Sequence, residues 1–408
     1  MNILWVKAGG LLPLDTGGKI RSYQILKQLA ANNPVTLFTF YPEHADDQHF
    51  RLKEILDDVI CCPLPIPPVA RGLKDRVGYV ANLLTAQPYS LSKYSRSANA
   101  KKLSDLVRNR NYDALICDFI FAAADFPWKS PHPKILFTHN VEGQIWQRHY
   151  EIARNPIWKA VCWREWKTLT RAEKMYAQAA DLVLTVSERD TAFFSRYVGP
   201  ERIATIPTGV DVEYFTPHLE EEQENNIVFV GSMDWLPNED AAFFFSEKIF
   251  PKIRTELPNA RFWIVGRRPS ARLSNELGRE PNAIQITGTV DDIRPYLHQA
   301  AVVVVPLRVG GGTRLKIFEA MACGKAVVST TVGAEGLPVT SGKDILLADE
   351  PDAFAAAVIN VCRNTALRQA LGMQARRSVE QRYSWRIIVD RFQQILEQVA
   401  QLQPLSAE

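Results

Sequence analysis

The chain has 408 residues, which exceeds the size of an ordinary single domain and predicts two or three domains with large hydrophobic cores. Hydrophobic residues account for 46% of the chain and charged residues for 23%, a balance that excludes the disordered and fibrous classes of protein. The net charge is only +3, and the sequence has neither a nucleic-acid-binding motif nor a run of about 18 apolar residues, so nucleic-acid binding and a membrane span are not expected.

The start of the chain predicts a strand rather than a signal peptide. Lys7 interrupts the apolar opening MNILWVKAGG, which ends on the glycines of a turn. The six cysteines include no Cys-x-x-Cys pair, which indicates reduced, buried thiols instead of a disulfide framework or a zinc site. We therefore expect a cytoplasmic protein.

Short apolar runs alternate with helical stretches through the first half of the chain. This alternation predicts a parallel sheet with right-handed crossovers, and runs that are apolar at every position suit strands buried on both faces. Strands are expected at residues 3–6, 35–40, 59–62, 114–117, 135–138 and 182–186. Helices are expected at residues 19–31 and over one long stretch, 141–180.

A polar, acidic segment with two prolines, residues 207–226, separates the two halves and is the best candidate for an interdomain linker. The alternation then restarts, which predicts a second Rossmann-like domain. Its strands are expected at residues 227–230, 262–265, 284–286, 302–305, 326–329 and 345–347, and a final helix at residues 385–401. Two such domains that face each other form a cleft at the carboxyl ends of their sheets, where sheets of this kind bind ligands.

The segment 301–329 has the pattern of a phosphate site. An apolar strand is followed by Gly310, Gly311 and Gly312, and a helix opens near Thr313. Free N–H groups at a helix N-terminus and the helix dipole favour an anion, and glycines allow it close to the backbone. An ordinary turn between a strand and a helix is the alternative, because glycine-rich turns are common.

Three charged side chains interrupt this otherwise apolar helix, and a charge on a buried helix needs a partner. We interpret Arg314 and Lys316 as the cations that neutralise a diphosphate. Glu319 is interpreted as an acceptor of hydrogen bonds from ribose hydroxyls. The alternative is that Lys316 and Glu319, three residues apart on one helix face, form a surface ion pair.

The run FEAMACGKAVVST, residues 318–330, resembles the second half of the signature of the retaining glycosyltransferases of family four. Other short motifs of this family stand in the expected order, and the similarity covers nearly the whole chain. These motifs are Thr16-Gly17-Gly18, Thr138-His139-Asn140, Ile206-Pro207-Thr208-Gly209-Val210-Asp211, Val230-Gly231-Ser232, Val265-Gly266-Arg267 and Gly288-Thr289-Val290.

The chain departs from the family pattern at two positions. The family signature has two glutamates eight positions apart, and Gly311 takes the place of the first, which usually touches the donor sugar. Ser232 stands where many relatives have an arginine for the diphosphate. Arg314 and Lys316 are expected to replace that missing cation.

The resemblance implies an α/β fold of two facing Rossmann-like domains, the GT-B architecture. It implies an N-terminal acceptor-binding domain over residues 1–210, a nucleotide-sugar-binding domain over residues 220–381, and a C-terminal helix, residues 382–408, that crosses back to the first domain. The implied activity is the transfer of a sugar from a UDP- or GDP-sugar to a saccharide or lipid-linked acceptor of surface polysaccharide synthesis. The alternatives are a non-catalytic homologue that binds the nucleotide sugar, and a nucleotide-sugar epimerase of the same architecture.

The resemblance also implies roles for particular residues. His139 is placed beside the donor sugar, although a lone histidine is more often structural, and with Arg314 and Lys316 it completes the expected catalytic set. Glu142 either caps the next helix or faces the acceptor. The expected donor-binding residues are Gly17, Gly18, Gly231, Gly266, Arg267, Val290, Gly311, Gly312, Thr313, Leu315 and Glu319.

No cofactor or metal ion is expected. The pair Asp291-Asp292 is a weak candidate for a metal site, since retaining enzymes of this fold usually let the helix dipole and cations do the work of a metal. Lys19 and Arg21, near the glycines at residues 17 and 18, are interpreted as solvated helix residues.

Nine basic residues and only two acidic ones lie between residues 67 and 110, with aromatic and aliphatic residues among them. This pattern favours reversible contact with an anionic membrane, and the run 157–167, rich in Trp and basic residues, is a weaker candidate. The alternative for both is a solvated helical face. We expect a cytoplasmic enzyme that is peripheral on the inner face of the cell membrane.

Overall fold

The computed structural model describes residues 1–14, 16–41, 47–64, 73–278, 282–309 and 315–401. Its contacts divide the chain into two compact units. Unit 1 comprises Met1–Pro207 and Val389–Glu408, and unit 2 comprises Thr208–Ile388. Among the described residues, no helix combines the length and the hydropathy needed to cross a membrane.

The core of unit 1 is a parallel sheet of seven strands in the order β3-β2-β1-β4-β5-β6-β7. The strands are β1 (Ile3–Ala8), β2 (Val35–Tyr41), β3 (Asp58–Pro63), β4 (Ala114–Asp118), β5 (Lys134–Phe137), β6 (Leu182–Thr185) and β7 (Ile203–Thr205). The first six confirm the predicted strands, whereas β7, an edge strand of three residues, has no apolar run to mark it. The strand order reverses between β1 and β4, which makes the carboxyl ends of these two strands a topological switch point.

Helices cover the strands of unit 1 on both faces, as the fully apolar runs predicted. They are α1 (Gly17–Leu29), α2 (Asp47–Phe50), α3 (Leu73–Asn82), α4 (Tyr89–Ser92), α5 (Ser97–Asn109), α6 (Glu142–Ile152), α7 (Pro156–Ala179) and α8 (Glu188–Phe194). The prediction of one long helical stretch over 141–180 is wrong, because Pro156 begins a new helix and the Asn155 side chain caps it by accepting from the Trp158 N–H.

Unit 2 has a second parallel sheet, in the order β10-β9-β8-β11-β12-β13. Its strands are β8 (Asn226–Val230), β9 (Arg261–Val265), β10 (Ile284–Gly288), β11 (Val302–Val305), β12 (Val327–Ser329) and β13 (Leu346–Leu347). Its helices are α9 (Leu236–Phe244), α10 (Phe250–Glu256), α11 (Ala271–Leu277), α12 (Arg294–Gln299), α13 (Leu315–Ala322), α14 (Pro351–Arg363) and α15 (Thr365–Arg382). The six predicted strands are confirmed, and the switch point lies between β8 and β11.

The segment interpreted as a linker is fastened to unit 2. Arg376, on α15, donates hydrogen bonds to the carbonyls of Val212 at 2.9 Å and Phe215 at 2.6 Å. Val210 pairs with Ser384 in a parallel bridge. Residues 208–226 are therefore an ordered part of this unit, even though their composition is that of a loop.

The last helix, α16 (Trp385–Gln401), begins in unit 2, and from Val389 onward it belongs to unit 1. Its Phe392 is fully buried there, with its ring centroid 5.9 Å from Trp5 and 5.5 Å from Phe137. Burial of three large aromatic side chains against one another contributes strongly to stability. The first strand and the last helix of the chain thus share one core.

Replacing Phe392 by Ala should reduce the free energy of unfolding of unit 1 by roughly 3–5 kcal/mol, because it removes a fully buried aromatic ring. Urea denaturation followed by tryptophan fluorescence measures this. Gln398→Ala, at an exposed position of the same helix, is the matched control and should change stability by less than about 0.5 kcal/mol. A loss below about 1 kcal/mol for Phe392→Ala would show that α16 adds little to this core.

Candidate functional site

A buried polar cluster lies at the switch point of unit 1. Asp118, the last residue of β4, is fully buried, and its Oδ2 accepts hydrogen bonds from three donors. These are Lys7 Nζ at 2.9 Å, Trp5 Nε1 at 2.9 Å and Ser22 Oγ at 2.6 Å. Burial alone would raise the pKa of Asp118, but Lys7, His139 and Ser22 hold that pKa below its usual range. The cluster therefore contains a permanent, internally balanced carboxylate.

His139 joins this cluster from the end of β5. Its Nε2 lies 2.7 Å from Asp118 Oδ1, and its Nδ1 accepts a hydrogen bond of 2.9 Å from Arg21 Nη1. A guanidinium can only donate, so Nδ1 carries the lone pair and Nε2 carries the proton. Burial lowers the pKa of His139 to about 3, an effect that Asp118 offsets only in part. The imidazole is therefore neutral at physiological pH, with Arg21 bonded to one nitrogen and Asp118 close to the other.

The interpretation of Arg21 as a solvated helix residue is wrong. Its side chain is only 4% exposed, and burial lowers its pKa to about 10. The error arose because the partner, His139, lies 118 positions away in the sequence. Lys7 and Asp118 were also missed as members of this cluster. The available signal was a charge near the carboxyl end of an otherwise apolar strand, since such a charge needs a partner in the core.

The backbone around His139 is strained and closely packed. Phe119, which follows Asp118, has a φ of +68°, a region that residues other than glycine rarely occupy. Its ring stacks on the imidazole of His139 with centroids 3.9 Å apart. A Cβ at Gly18 would lie 2.9 Å from the Phe119 ring and 3.7 Å from His139 Nδ1. Gly18 lies in the first turn of α1, so the structure brings one of the predicted glycines close to the predicted histidine.

Two carboxyl groups lie buried just beyond His139. Glu142 does not cap α6, because its Oε1 instead accepts a hydrogen bond of 3.4 Å from Asn140, and burial raises its pKa to about 7. Glu173, on α7, accepts a hydrogen bond of 3.2 Å from the backbone N–H of Gly143. Its second oxygen has no hydrogen-bond partner within the described ranges, and burial raises its pKa to about 8.

In unit 2, two of the predicted glycines touch each other at the carboxyl ends of β8 and β9. A Cβ at Gly266 would lie 1.8 Å from the carbonyl oxygen of Gly231, and the φ of Gly266 is +151°. A Cβ at Gly231 would lie 2.8 Å from Lys316 Nζ. Other groups can come this close to the backbone only because both residues are glycines, which have no Cβ.

Lys316 extends from α13 to the same place. Its Nζ donates a hydrogen bond of 2.7 Å to Asn238 Oδ1 and lies 4.5 Å from the centroid of the Phe229 ring. Asn238 in turn donates to the carbonyl of Ser232 at 2.8 Å, so one amide holds both the lysine and the turn after β8. The sequence analysis assigned no role to this asparagine.

Arg267 supplies a second cation to this turn. Its Nε donates a hydrogen bond of 2.7 Å to Ser232 Oγ, and Asp234 lies 3.9 Å away. Ser232 is the position at which the family pattern has an arginine. The guanidinium of Arg267, which follows β9, thus lies beside Ser232, the residue that takes the place of the family's arginine.

Glu319 is half-buried one helical turn beyond Lys316. The predicted alternative, a surface ion pair between these two residues, is not formed in the described part of the chain, where Lys316 instead bonds to Asn238. Burial raises the pKa of Glu319 to about 7, an effect that Lys316 opposes. Leu315, the first residue of α13, and Val290, just after β10, are both partly exposed.

The remaining predicted site residues lie outside the described residues. They are Gly311, Gly312, Thr313 and Arg314, so their roles stay predictions. Asp292 is engaged by Arg294, whose Nε and Nη2 donate to it at 2.8 and 2.6 Å. Of the pair Asp291-Asp292, Asp291 is exposed, and the partly buried Asp292 is the residue that pairs with Arg294.

Comparison with known proteins gives a consistent result. Residues 17–214 match the family model for Glycosyltransferase Family 4, and residues 224–364 match that for Glycosyl transferases group 1. The chain is 28% identical over 207 residues to the phosphatidyl-myo-inositol mannosyltransferase of Mycobacterium tuberculosis, a match that spans 48% of this chain and 54% of that protein.

Solved structures of glycosyltransferases share the fold. The sucrose-phosphate synthase of Thermosynechococcus elongatus matches with a TM-score of 0.72 at 18% identity, covering 98% of both chains. HepE of Anabaena, solved in complex with UDP, matches with a TM-score of 0.69 at 16% identity, covering 98% of this chain and 100% of that one. The predicted fold class, two Rossmann-like domains of the GT-B type, is confirmed.

Replacing Glu173 by Gln should reduce the loss of unfolding free energy that accompanies a rise in pH. The pKa of Glu173 is about 8 in the folded protein, against 4.5 for a free carboxyl, so the folded state binds more protons than the unfolded state between these values. The free energy of unfolding therefore falls as the pH rises from about 5 to 8. Relative to the wild type, Glu173→Gln should gain on the order of 2–4 kcal/mol across that range.

Urea denaturation at a series of pH values measures this difference. Glu151→Gln, at an exposed position on α6, is the control and should run parallel to the wild type. If Glu173→Gln also ran parallel to the wild type, the Glu173 carboxyl would not be protonated in the folded protein.

Proposed function

Because this chain belongs to the group 1 glycosyl transferases of glycosyltransferase family 4, we propose that it moves a sugar from a UDP- or GDP-sugar to an acceptor hydroxyl with retention of anomeric configuration. The observation that carries the proposal is the meeting of Gly231, Gly266 and Lys316 at the switch point of unit 2. Backbone without side chains and a held ammonium group suit a diphosphate at this point of the sheet.

The diphosphate is proposed to lie against the turn after β8. Lys316 and Arg267 supply two positive charges there, which offsets the missing arginine at Ser232. The segment with Gly311, Gly312, Thr313 and Arg314 is expected to add backbone N–H groups and a third cation. UDP in the complex of HepE supports a uridine nucleotide as the first donor to test.

Glu319 is proposed to bind the ribose of the nucleotide. It has no hydrogen-bond partner in the described part of the chain, and its raised pKa shows that its charge is poorly solvated. Two neighbouring hydroxyl donors would satisfy both oxygens and stabilise the ionised form. Leu315 and Val290 are proposed to line the nucleotide through packing and backbone groups.

During transfer, the bond between the anomeric carbon and the diphosphate oxygen breaks, and the acceptor oxygen forms a bond to that carbon. Negative charge collects on the leaving diphosphate, which takes up the proton of the acceptor hydroxyl. Lys316, Arg267 and the predicted Arg314 are proposed to stabilise that charge, so a metal ion is not required in this proposal. His139 is proposed as a positioning residue, because a pKa of about 3 and nitrogens that face Arg21 and Asp118 do not suit proton transfer.

Unit 1 is proposed to bind the acceptor, with Glu142 as the group that contacts its hydroxyl. A carboxyl with a pKa of about 7 can either donate or accept a hydrogen bond near neutral pH. The mannosyltransferase relative acts on phosphatidyl-myo-inositol, as its name states, which supports a lipid-linked or saccharide acceptor. A non-catalytic homologue and a nucleotide-sugar epimerase are the remaining alternatives.

The test is a panel of UDP- and GDP-sugars, each incubated with the full chain and candidate lipid-linked or saccharide acceptors. A transferase releases nucleotide only when an acceptor is present, and turnover should persist in a chelator. Glu319→Gln should weaken nucleotide-sugar binding about tenfold or more by calorimetry, because a charge-assisted acceptor is lost. Lys316→Ala should lower kcat more than it raises KM, because it acts on the charge that develops in the transition state.

The controls are Glu276→Gln and Lys343→Ala, which change exposed charges of unit 2 and should behave like the wild type. Sugar isomerisation without an acceptor would identify an epimerase, and tight donor binding without either reaction would identify a non-catalytic homologue. Unchanged affinity in a folded Glu319→Gln protein would remove Glu319 from the site.

We also propose that the enzyme is cytoplasmic and docks reversibly on the inner face of the cell membrane through unit 1. On α3 and the turn after it, Val77, Val80 and Leu84 recur at helical spacing and are exposed, Leu84 by 94%. Lys101 and Lys102 add exposed positive charges on α5. Apolar side chains for the lipid boundary and cations for anionic headgroups are the two components of such docking.

Co-sedimentation with vesicles tests the docking proposal. Binding to anionic vesicles, and not to neutral ones, is expected, with loss in 1 M salt where the Debye length is about 3 Å. Lys101→Glu combined with Lys102→Glu should weaken binding roughly tenfold or more, at about 1 kcal/mol per cation. The control is Lys343→Glu with Arg377→Glu, two exposed charges of unit 2. Equal binding to both vesicle types would favour soluble acceptors.

A further inference from the structure

Three side chains that commonly bind metal ions meet in unit 2, in residues to which the proposed reaction assigns no role. His218 and Glu221 lie in the segment before β8, where Leu219–Glu221 forms a single 3-10 turn. His298 lies on α12. One nitrogen or oxygen from each side chain falls within 4.8 Å of the other two.

The distances fit one bound ion. Glu221 reaches both histidines, with Oε1 at 3.6 Å from His218 Nδ1 and Oε2 at 3.6 Å from His298 Nδ1. The two imidazole rings lie side by side, with centroids 4.4 Å apart. Ligand atoms at about 2.1 Å from a tetrahedral zinc ion are separated by about 3.4 Å. The three atoms here lie within 4.8 Å of one another, so binding an ion requires them to approach by up to about 1.4 Å.

The surroundings of the two histidines also suit a ligand role. His298 is 8% exposed, and its Nε2 has no hydrogen-bond partner among the residues that the structure describes. His218 Nε2 lies 3.3 Å from Thr216 Oγ1, and its Nδ1 lies 3.6 Å from Glu221 Oε1 and 3.3 Å from the exposed Glu220. A hydrogen bond at the far nitrogen is the usual way to orient a metal-binding imidazole.

Two neighbouring cations pair with Glu222 and not with Glu221. Lys325 Nζ, the nearby ammonium, donates to the carbonyl of His298 at 2.7 Å and pairs with Glu222 at 3.2 Å. Glu222 also accepts from Arg368 at 2.7 Å. Because Glu222 balances both cations, the charge of Glu221 is left for the two histidines.

We propose that His218, Glu221 and His298 bind one divalent transition-metal ion, with zinc the preferred ion. Two imidazole nitrogens and one carboxylate oxygen form a ligand set typical of zinc, and the fourth position would hold water. The site shares no residue with the proposed donor site, so sugar transfer is not its expected role. It would clip the segment before β8 to α12, where Gln223 N–H already donates to the carbonyl of Gln299 at 3.1 Å.

The test uses the full chain, stripped of metal with a chelator and dialysed, and then titrated with Zn²⁺ in a calorimeter. One ion per chain is expected. Glu221→Gln and His218→Ala should each weaken binding at least tenfold, and zinc should raise the Tm of the wild type but not of these variants. Glu224→Gln, at an exposed position of the same segment, is the matched control and should bind zinc like the wild type. Glu220→Gln tests the second carboxylate near His218.

Co²⁺ provides an independent readout, since a bound tetrahedral site gives visible absorption that both variants should lose. No saturable binding of Zn²⁺ would overturn the proposal. Equal affinity in the wild type, Glu221→Gln and His218→Ala would also overturn it, because the ion would then be held elsewhere, for example by a cysteine thiol. Binding that is lost in Glu220→Gln but kept in Glu221→Gln would likewise refute the assignment.

Discussion

A carboxylate without access to water must have its charge balanced inside the protein, and in unit 1 that carboxylate is Asp118. Its partners come from different elements, with Lys7 on β1, Ser22 on α1 and His139 after β5. The balanced charge therefore fixes the first turn of α1 against the carboxyl ends of three strands. Gly18 and Phe119 pack together on the imidazole as a result, and the strained backbone of Phe119 is tolerated within this tightly bonded setting.

At its switch point, unit 2 has two partly exposed cations instead of a buried carboxylate. Lys316, on α13, and Arg267, just after β9, both reach the turn after β8. Asn238 and Ser232 hold them through hydrogen bonds to neutral oxygens, and Asp234 lies 3.9 Å from Arg267. A sequence comparison at position 232 suggests a missing cation, whereas in three dimensions two cations lie beside that position.

Much of the fold follows from local patterns. Twelve strands were predictable because parallel strands are buried on both faces and so have apolar runs, and α16 was predictable from its helical spacing. β7 was missed since three residues at a sheet edge carry no such run, and the break at Pro156 was overlooked within a long helical pattern.

The site was less predictable. Glycines after strands and the charges of α13 could be assigned from spacing and resemblance. The hydrogen-bond partners of those residues could not be assigned in this way. Arg21 finds His139 across 118 positions, and Lys316 finds Asn238 across 78, so neither contact leaves a trace in any local window of sequence. Asp118 and Lys7 carried the weaker signal of a charge near the end of an apolar strand.

The position of Phe392 also bears on how the chain folds during synthesis. An N-terminal domain usually folds while the remainder of the protein is still being made. Here the core around Trp5 lacks one of its aromatic rings until the last helix has left the ribosome. Unit 1 therefore reaches its final packing only after unit 2 has been translated, and any ribosome-bound intermediate exposes the apolar surface of Trp5 and Phe137 that Phe392 later covers.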